Sequence, residues 1–389
     1  MIAVIAMGGG CASTPSAAPE GPRVRVLTYY LGGVGTDELQ RGDHGRLKRA
    51  AAQIQALSPD ILFISGLAYD QTGQNARRFV TNYLSRPQAD TLSGRSYRTV
   101  MLPVNTGDAR GAEGIPVRTV HAASVSVAPS SDAISTVRQA LPAPPTDSVG
   151  QGMALFVHPD LTVLRDSIRT FRRFLWAEMP GAARPRDRHS GAPWHTDETW
   201  QTLRLSSRSH WDVPVRTAEG TVLHVLASHP AVPTRDGAAQ RSDRRNHDEI
   251  RFWVDYLDDA SYIEDDSGRG GGLDRKAAFV IVGRLNADPA DDNVFRAAVH
   301  RLLSHDRIRD PRPTASAGGQ SAFASLTAEA TARWGGRVDY VLPSNRFVVD
   351  TSGVWRPVSD TAAVPVSDHF PVWVDLRRPK ASLLNIPLE

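Results

Sequence analysis

The stretch FVIVGRLNADP, residues 279–289, decides how this chain is read. Four apolar, mostly β-branched residues in a row describe a strand buried on both faces, and the run stops at a glycine followed by Arg284, Asn286 and a proline turn. Polar side chains at the end of a buried strand are held by a rigid sheet and aimed at whatever lies beyond it. Working outward, the same arrangement recurs. LHVLASHP (223–230) ends its apolar run in His229, RVDYVLPS (337–344) sets Asp339 among valines, and VSDHFPVWVDL (366–376) places Asp368 and His369 before a final strand. An aspartate in a strand of valines requires a buried partner. Two histidines, two aspartates and an amide gathered in one cleft suit phosphoester hydrolysis.

This ordered series resembles the endonuclease/exonuclease/phosphatase superfamily. Its ordinary pattern runs from an Asn after an early strand and a metal-binding Glu after the next, to a His, a G-D-x-N, an R-[IV]-D-Y and a terminal S-D-H. The order and spacing fit over residues 23 to 378. The stretches FLWAEMPG (174–181), LRLSSRSHWDVPV (203–215) and RRNHDEIRFWVDYL (244–257) resemble one bacterial subgroup. The resemblance implies an α/β fold of two packed, mostly antiparallel β-sheets flanked by helices, a four-layer α/β/β/α sandwich. It also implies roles. His369, oriented by Asp339, would act beside the phosphate; Asp368 would help to place the metal or nucleophile; Asn286 and His229 would donate to the phosphate.

Three positions depart from the pattern. Tyr30 in RVRVLTYYLGG (23–33) stands where the family has Asn, Gly66 in ILFISGLAYD (61–70) where it has Glu, and Arg284 where it has the Asp of G-D-x-N. Mg²⁺ is a hard cation held through carboxylates, other oxygens and water, so glycine removes a ligand and arginine adds a repelling charge. The expected consequence is a degenerate metal site, with Arg284 itself a candidate phosphate ligand because its fork of donors matches phosphate oxygens. The alternative for Arg284 is a side chain turned outward to solvent. An active enzyme would need Mg²⁺, Mn²⁺ or Ca²⁺ held by other groups, such as Asp37, Asp43 or Asp70. A third alternative is an exported scaffold in which the cleft has no role.

Composition bounds the partners. The 389 residues carry 41% hydrophobic and 22% charged residues and a formal net charge of +3, which fits a globular chain, and the motif order favours one domain over two. So mild a charge permits an anionic small molecule or phosphodiester without indicating a dedicated nucleic-acid binder. The densest basic stretch, RRFLWAEMPGAARPRDRH (172–189), reads as a solvated loop, and the chain is expected to be a monomer. Cys11, the single cysteine, follows MIAVIAMGGG and precedes ASTPSAAPEGP. That pattern resembles a bacterial lipoprotein signal and tether over 1–22, placing a domain at 23–378 and a tail at 379–389 in the cell envelope, with membrane contact only through a lipid on Cys11. The alternative is a plain N-terminus and a cytoplasmic chain.

Strands are expected over 24–29, 61–65, 154–157, 203–207, 221–228, 279–283, 337–342 and 372–376, and helices over 44–57, 75–84, 244–257 and 295–303. Residues 104–150, rich in Ala, Ser, Pro and Gly, read as a surface insertion, and EDDSGRGGGLDRK (264–276) as a flexible loop. The segment RRNHDE reads as an exposed helix start capped by Asn246, a ligand role being the alternative.

Overall fold

A computed structural model describes residues 22–105, 152–233, 240–291, 294–357 and 365–378; Cys11, the tether, most of the 104–150 insertion and the 379–389 tail lie outside the described residues. In chain order the strands are β1 (Val24–Val34), β2 (Ile61–Leu67), β3 (Arg98–Val100), β4 (Gly152–Val157), β5 (Thr162–Val163), β6 (Arg169–Thr170), β7 (His210–Arg216), β8 (Val222–Ser228), β9 (Ala278–Arg284), β10 (Asp339–Pro343), β11 (Val348–Val354) and β12 (Val372–Arg377). They form two six-stranded sheets. One runs β11-β12-β1-β2-β4-β3; the other runs β10-β9-β8-β7-β5, with β6 also paired to β7. Only β1/β2 and β8/β9 are parallel, so both sheets are mostly antiparallel.

Strand alternation sets the layers. In β9, Val280 and Val282 face the other sheet, while Phe279 and Ile281 face a helix layer. Between the sheets they meet Val26, Phe63, Leu155, Trp211, Val225 and Val374. On the outer face of the first sheet, Leu27, Tyr29 and Leu31 of β1 pack on Leu47, Ala51, Ile54 and Leu57 of the helix Gly45–Leu57. On the outer face of the second, the helix Arg241–Leu257 buries Ile250, Trp253, Val254 and Leu257. Fully burying each such side chain stabilises the fold by about 1.5–3 kcal/mol, which is why these two helices are where their apolar spacing predicts. The layers are α/β/β/α.

Several expectations need correction. Residues 203–207 form no strand. Leu203 and Leu205 alternate inward as strand residues do, but the segment makes only one bridge, Leu175 with Arg204, and its backbone is otherwise held by loop contacts and by Glu249. The strand in this region is β7. The segment 264–276 is tied down by Asp265, which receives Arg169 at 2.8 Å and the Ser267 hydroxyl and lies well below the usual carboxylate range; burial opposes this, but its hydrogen bonds prevail. Part of 172–189 is core, since Phe174, Trp176 and Met179 are buried, while Arg186 to Ser190 is mostly exposed.

Connectivity brings the chemistry to one edge. Parallel β8 and β9 end together, and β10 begins opposite the end of β9, with Asp339 paired to Arg284. Parallel β1 and β2 likewise end together, and β12 starts beside the middle of β1, with Val372 opposite Thr28, two residues before Tyr30. His229, Arg284, Asn286, Asp339, His369, Tyr30 and Gly66 are therefore all delivered to the same end of the sandwich.

Candidate functional site

Tyr30 stands at the centre of this end. It follows Val26 and Thr28 on the inward face of β1, and beyond it the strand bulges through Gly32 and Gly33, both with positive φ. Arg46 fixes the bulge by donating to Gly33 O at 2.8 Å, to the backbone of Leu31 and to Glu38 at 3.0 Å. The phenol ring meets His229 edge-on at a centroid distance of 5.6 Å and His369 at 5.0 Å. The Arg284 guanidinium lies 4.2 Å over the same ring. Arg284 thus turns into the cleft, not out to solvent, and among the described residues its Nε has no hydrogen-bond partner.

His369 is oriented as the sequence led us to expect. Its Nδ1 lies 2.7 Å from Asp339 Oδ2, both side chains are 1% exposed, and Thr331 Oγ1 donates to the same carboxylate oxygen at 2.8 Å. A carboxylate at Nδ1 fixes the tautomer and leaves Nε2 toward the cleft, where it has no partner among the described residues. His229, 2% exposed, has no partner on either ring nitrogen among the described residues. Burial first, then the charges of Arg208, Arg284 and His369, hold its pKa well below the ordinary histidine value, so it is neutral at pH 7.

The remaining candidates divide. Asn286 sits in the left-handed region at φ 57 and donates Nδ2 to Pro230 O at 2.9 Å, which binds the turn after β9 to the turn carrying His229. Asp368 is exposed, and its carboxylate makes no hydrogen bond or ion pair among the described residues; its backbone carbonyl receives Arg333 N. Asp37 and Asp43 are exposed near the helix Thr36–Arg41. Asp70 is saturated by the backbone N–H groups of Thr72, Gln74 and Asn75 and by the Thr72 hydroxyl, and these hold it below the usual carboxylate range against the effect of burial.

The residues present do not fit a divalent metal ion. Gly66 has φ 91, and a Cβ built on it would lie 2.9 Å from Cε2 of Tyr30, so the tyrosine fills the room that a side chain at 66 would need. Arg284 projects its charge into the same space. Among the described residues no group of three or more His, Cys, Asp or Glu side chains is arranged to hold a metal.

Three neighbours were not predicted as site residues. Arg208 donates to the His229 carbonyl, and burial, followed by repulsion from Arg284, pulls its guanidinium down to about 10. Glu249, buried on the helix Arg241–Leu257, accepts from Ser207 N, Ser207 Oγ and Ala231 N, and so holds the turns bearing Arg208 and His229. Asn246 is no helix cap: the helix starts five residues earlier, after Gln240, and Asn246 is 1% exposed. Its Nδ2 donates to Ala231 O and Leu285 O, both at 2.8 Å, tying the ends of β8 and β9 together. All three residues lie in stretches that carry the family resemblance, which was the available signal. A separate cavity of about 740 Å³, flanked by Lys276, Arg346 and Arg378, opens at the other end of the second sheet and contains none of these residues.

The sequence matches the Endonuclease/Exonuclease/phosphatase family over residues 38–369. Among solved structures, an endonuclease/exonuclease/phosphatase from Beutenbergia cavernae is similar with a TM-score of 0.50 and 16% identity, covering 92% of this chain and 72% of that one. The human Nocturnin catalytic domain with bound sulfate gives 0.46 and 13%, covering 93% and 96%. A family protein from Bacteroides thetaiotaomicron gives 0.47 and 14%, covering 92% and 98%. None of the curated proteins matches the sequence. With its family motifs in order and its two sheets arranged as the family requires, the chain belongs to the endonuclease/exonuclease/phosphatase family.

Proposed function

We propose that this protein binds a phosphate-containing ligand, a small molecule or a phosphodiester, between His229 and His369 without a divalent metal, and that it is catalytically impaired relative to metal-dependent members of its family. The observation that carries the reading is the placement of Arg284, 4.2 Å over the ring of Tyr30, the same ring that both histidines contact. Two nearby guanidinium groups, Arg208 and Arg284, repel one another. An anion between them relieves that repulsion and gives partners to the buried nitrogens of His229 and His369. Asp339 keeps His369 in one orientation throughout. Hydrolysis would further require a positioned water and compensation of the charge that develops on the phosphate, and loss of the latter forfeits several kcal/mol.

The test is hydrolysis of bis(p-nitrophenyl) phosphate with Mg²⁺ or Mn²⁺ by the natural protein and by the triple variant Tyr30→Asn, Gly66→Glu, Arg284→Asp. Metal-dependent activity should be absent from the first and appear in the second. The backbone at Gly66 must leave φ 91 for the variant to succeed, so its gain will be partial. Metal-stimulated turnover by the natural protein that the triple variant does not improve would favour the active enzyme with relocated ligands.

A further inference from the structure

At the end of the sandwich away from the cleft, a cavity of about 740 Å³ lies against the starts of β8 and β9. Its cations come from three separate segments: Lys276 precedes β9, Arg346 sits in the turn between β10 and β11, and Arg378 follows β12, so both sheets contribute. Asp274 is the one carboxylate in the lining among the described residues, which leaves two positive charges in excess with His224 neutral.

Exposed cations are ordinary on a protein surface, so what they do for the fold decides what they mean. Arg307, close by, donates to the carbonyls of Leu257 at 2.6 Å and Asp274 at 2.8 Å and so holds loops together. The three cavity cations do little of this kind. Among the described residues Arg346 reaches only the Arg275 carbonyl, at 3.4 Å, Arg378 only the Thr221 hydroxyl, at 2.8 Å, and the Lys276 ammonium makes no hydrogen bond or ion pair. Asp274 accepts instead from the backbone N–H of Lys276, at 2.7 Å. Burial, and then the charges of Arg346 and Arg275, pull the Arg307 guanidinium below its ordinary value, as crowded positive charge requires.

The cavity also meets a second pair of carboxylate and imidazole. His224 lines it with a side chain 24% exposed; its Nδ1 lies 2.8 Å from Asp212 Oδ1, and the Tyr256 hydroxyl donates to Asp212 Oδ2 at 2.7 Å. Asp212 is 2% exposed within β7 and takes no part in the cleft. As with Asp339 and His369, the carboxylate fixes one ring nitrogen, and Nε2 of His224 makes no hydrogen bond among the described residues.

We propose that this cavity is a second anion site that takes a compound bearing two or more phosphoryl groups, with Lys276, Arg346 and Arg378 on its oxygens and His224 as a further polar contact. The site is independent of the phosphate reading of the cleft. A lone phosphate would fill a small part of the volume and leave cations without a partner, whereas two or three linked phosphoryl groups can engage them all. Soluble polyphosphates and bis-phosphate lipid headgroups share this chemistry.

The test uses Arg284→Ala as background, so that the cleft contributes little, and titrates tripolyphosphate and inorganic phosphate by calorimetry in metal-free buffer. Tripolyphosphate should bind about tenfold or more tighter than phosphate, and adding Lys276→Gln with Arg346→Gln should weaken it about tenfold or more, as the loss of charged hydrogen bonds implies. A control that removes the same charge outside the cavity, Arg188→Gln with Arg301→Gln, should change it less than about twofold. Cosedimentation with phosphatidylcholine vesicles, with and without cardiolipin, separates the two sources: vesicle binding that the Lys276 and Arg346 double variant loses assigns the site to a lipid headgroup, and tripolyphosphate binding without it to a free ligand. Equal weakening by the control, or no binding of tripolyphosphate and of cardiolipin vesicles, would overturn the proposal and leave the cleft reading untouched.

Discussion

A Cβ at residue 66 would fall 2.9 Å from Cε2 of Tyr30, so the tyrosine on β1 and the glycine on β2 are a matched pair. Two departures from the family pattern that look independent in sequence are one packing solution in space. The phenol occupies the end of the sandwich, and only a residue without a side chain fits beside it. Gly66→Ala should destabilise the protein by about 2–4 kcal/mol, from overpacking together with the cost of a side chain at φ 91. In a Tyr30→Ala background the steric part should vanish, giving a coupling energy of about 1 kcal/mol or more in a double-mutant cycle measured by urea denaturation. Additive effects would show that the two residues do not press on each other.

Asn246→Asp is nearly isosteric, yet it should be more damaging than Asn246→Ala. The alanine loses two hydrogen bonds at about 1 kcal/mol each, whereas the aspartate turns a carboxylate oxygen toward the Ala231 and Leu285 carbonyls where a donor had been. Urea denaturation of both variants checks the order. Equal or smaller loss for the aspartate would mean that the amide does not bind the two strand ends together.

His210 is fully buried between Ser206 Oγ and the Glu249 carbonyl, and burial pulls its pKa down to about 4. Its folded value lies below the unfolded value near 6.5, so the unfolded chain takes up a proton that the native one refuses. Stability is therefore complete above about pH 6.5 and is lost as pH falls toward 4. Between pH 6.5 and 5 the loss from this residue alone is about 2 kcal/mol. His229, also lowered, acts in the same direction. Chemical denaturation at the two pH values should show the fall, and His210→Asn should be less stable at neutral pH but show a smaller slope. An undiminished slope in the variant would assign the pH dependence elsewhere.

Asp339→Ala should cost about 3 kcal/mol of stability, because it leaves His369 Nδ1 and Thr331 Oγ1 buried without their shared acceptor. Asp339→Asn, which keeps an oxygen there, should cost less. Thermal unfolding of the two variants decides. A near-neutral Asp339→Ala would mean that water replaces the carboxylate and the dyad is not closed.

What the sequence made legible, and what it did not, follows from the physics of each segment. Strands β2, β8 and β9 are short apolar runs buried on both faces, and the helices Gly45–Leu57 and Arg241–Leu257 carry stripes at helical spacing, so their existence could be read directly. Strand β7 was missed because His210, Asp212 and Pro214 interrupt its apolar residues; its place comes from pairing with β8, a long-range contact that local pattern does not encode. The Asp339–His369 contact was legible because an aspartate among valines demands a partner, whereas the outward or inward turn of Arg284 was not. It depends on the ring of Tyr30, more than 250 residues away in sequence, and so do the steric consequences of Gly66. Asn246 looked like a cap because its residue type favours helix starts, but the strand ends it connects come together only in the folded chain.

The most direct measurement is titration of inorganic phosphate into the natural protein and into Arg284→Ala by calorimetry, each in EDTA and in millimolar Mg²⁺. The natural protein should bind phosphate equally well in both solutions, and Arg284→Ala should weaken binding by about 1.5–3 kcal/mol, as the loss of a charged hydrogen bond implies. Binding that appears only with Mg²⁺, or that is indifferent to Arg284, would contradict a cleft in which the arginine takes the place of the metal.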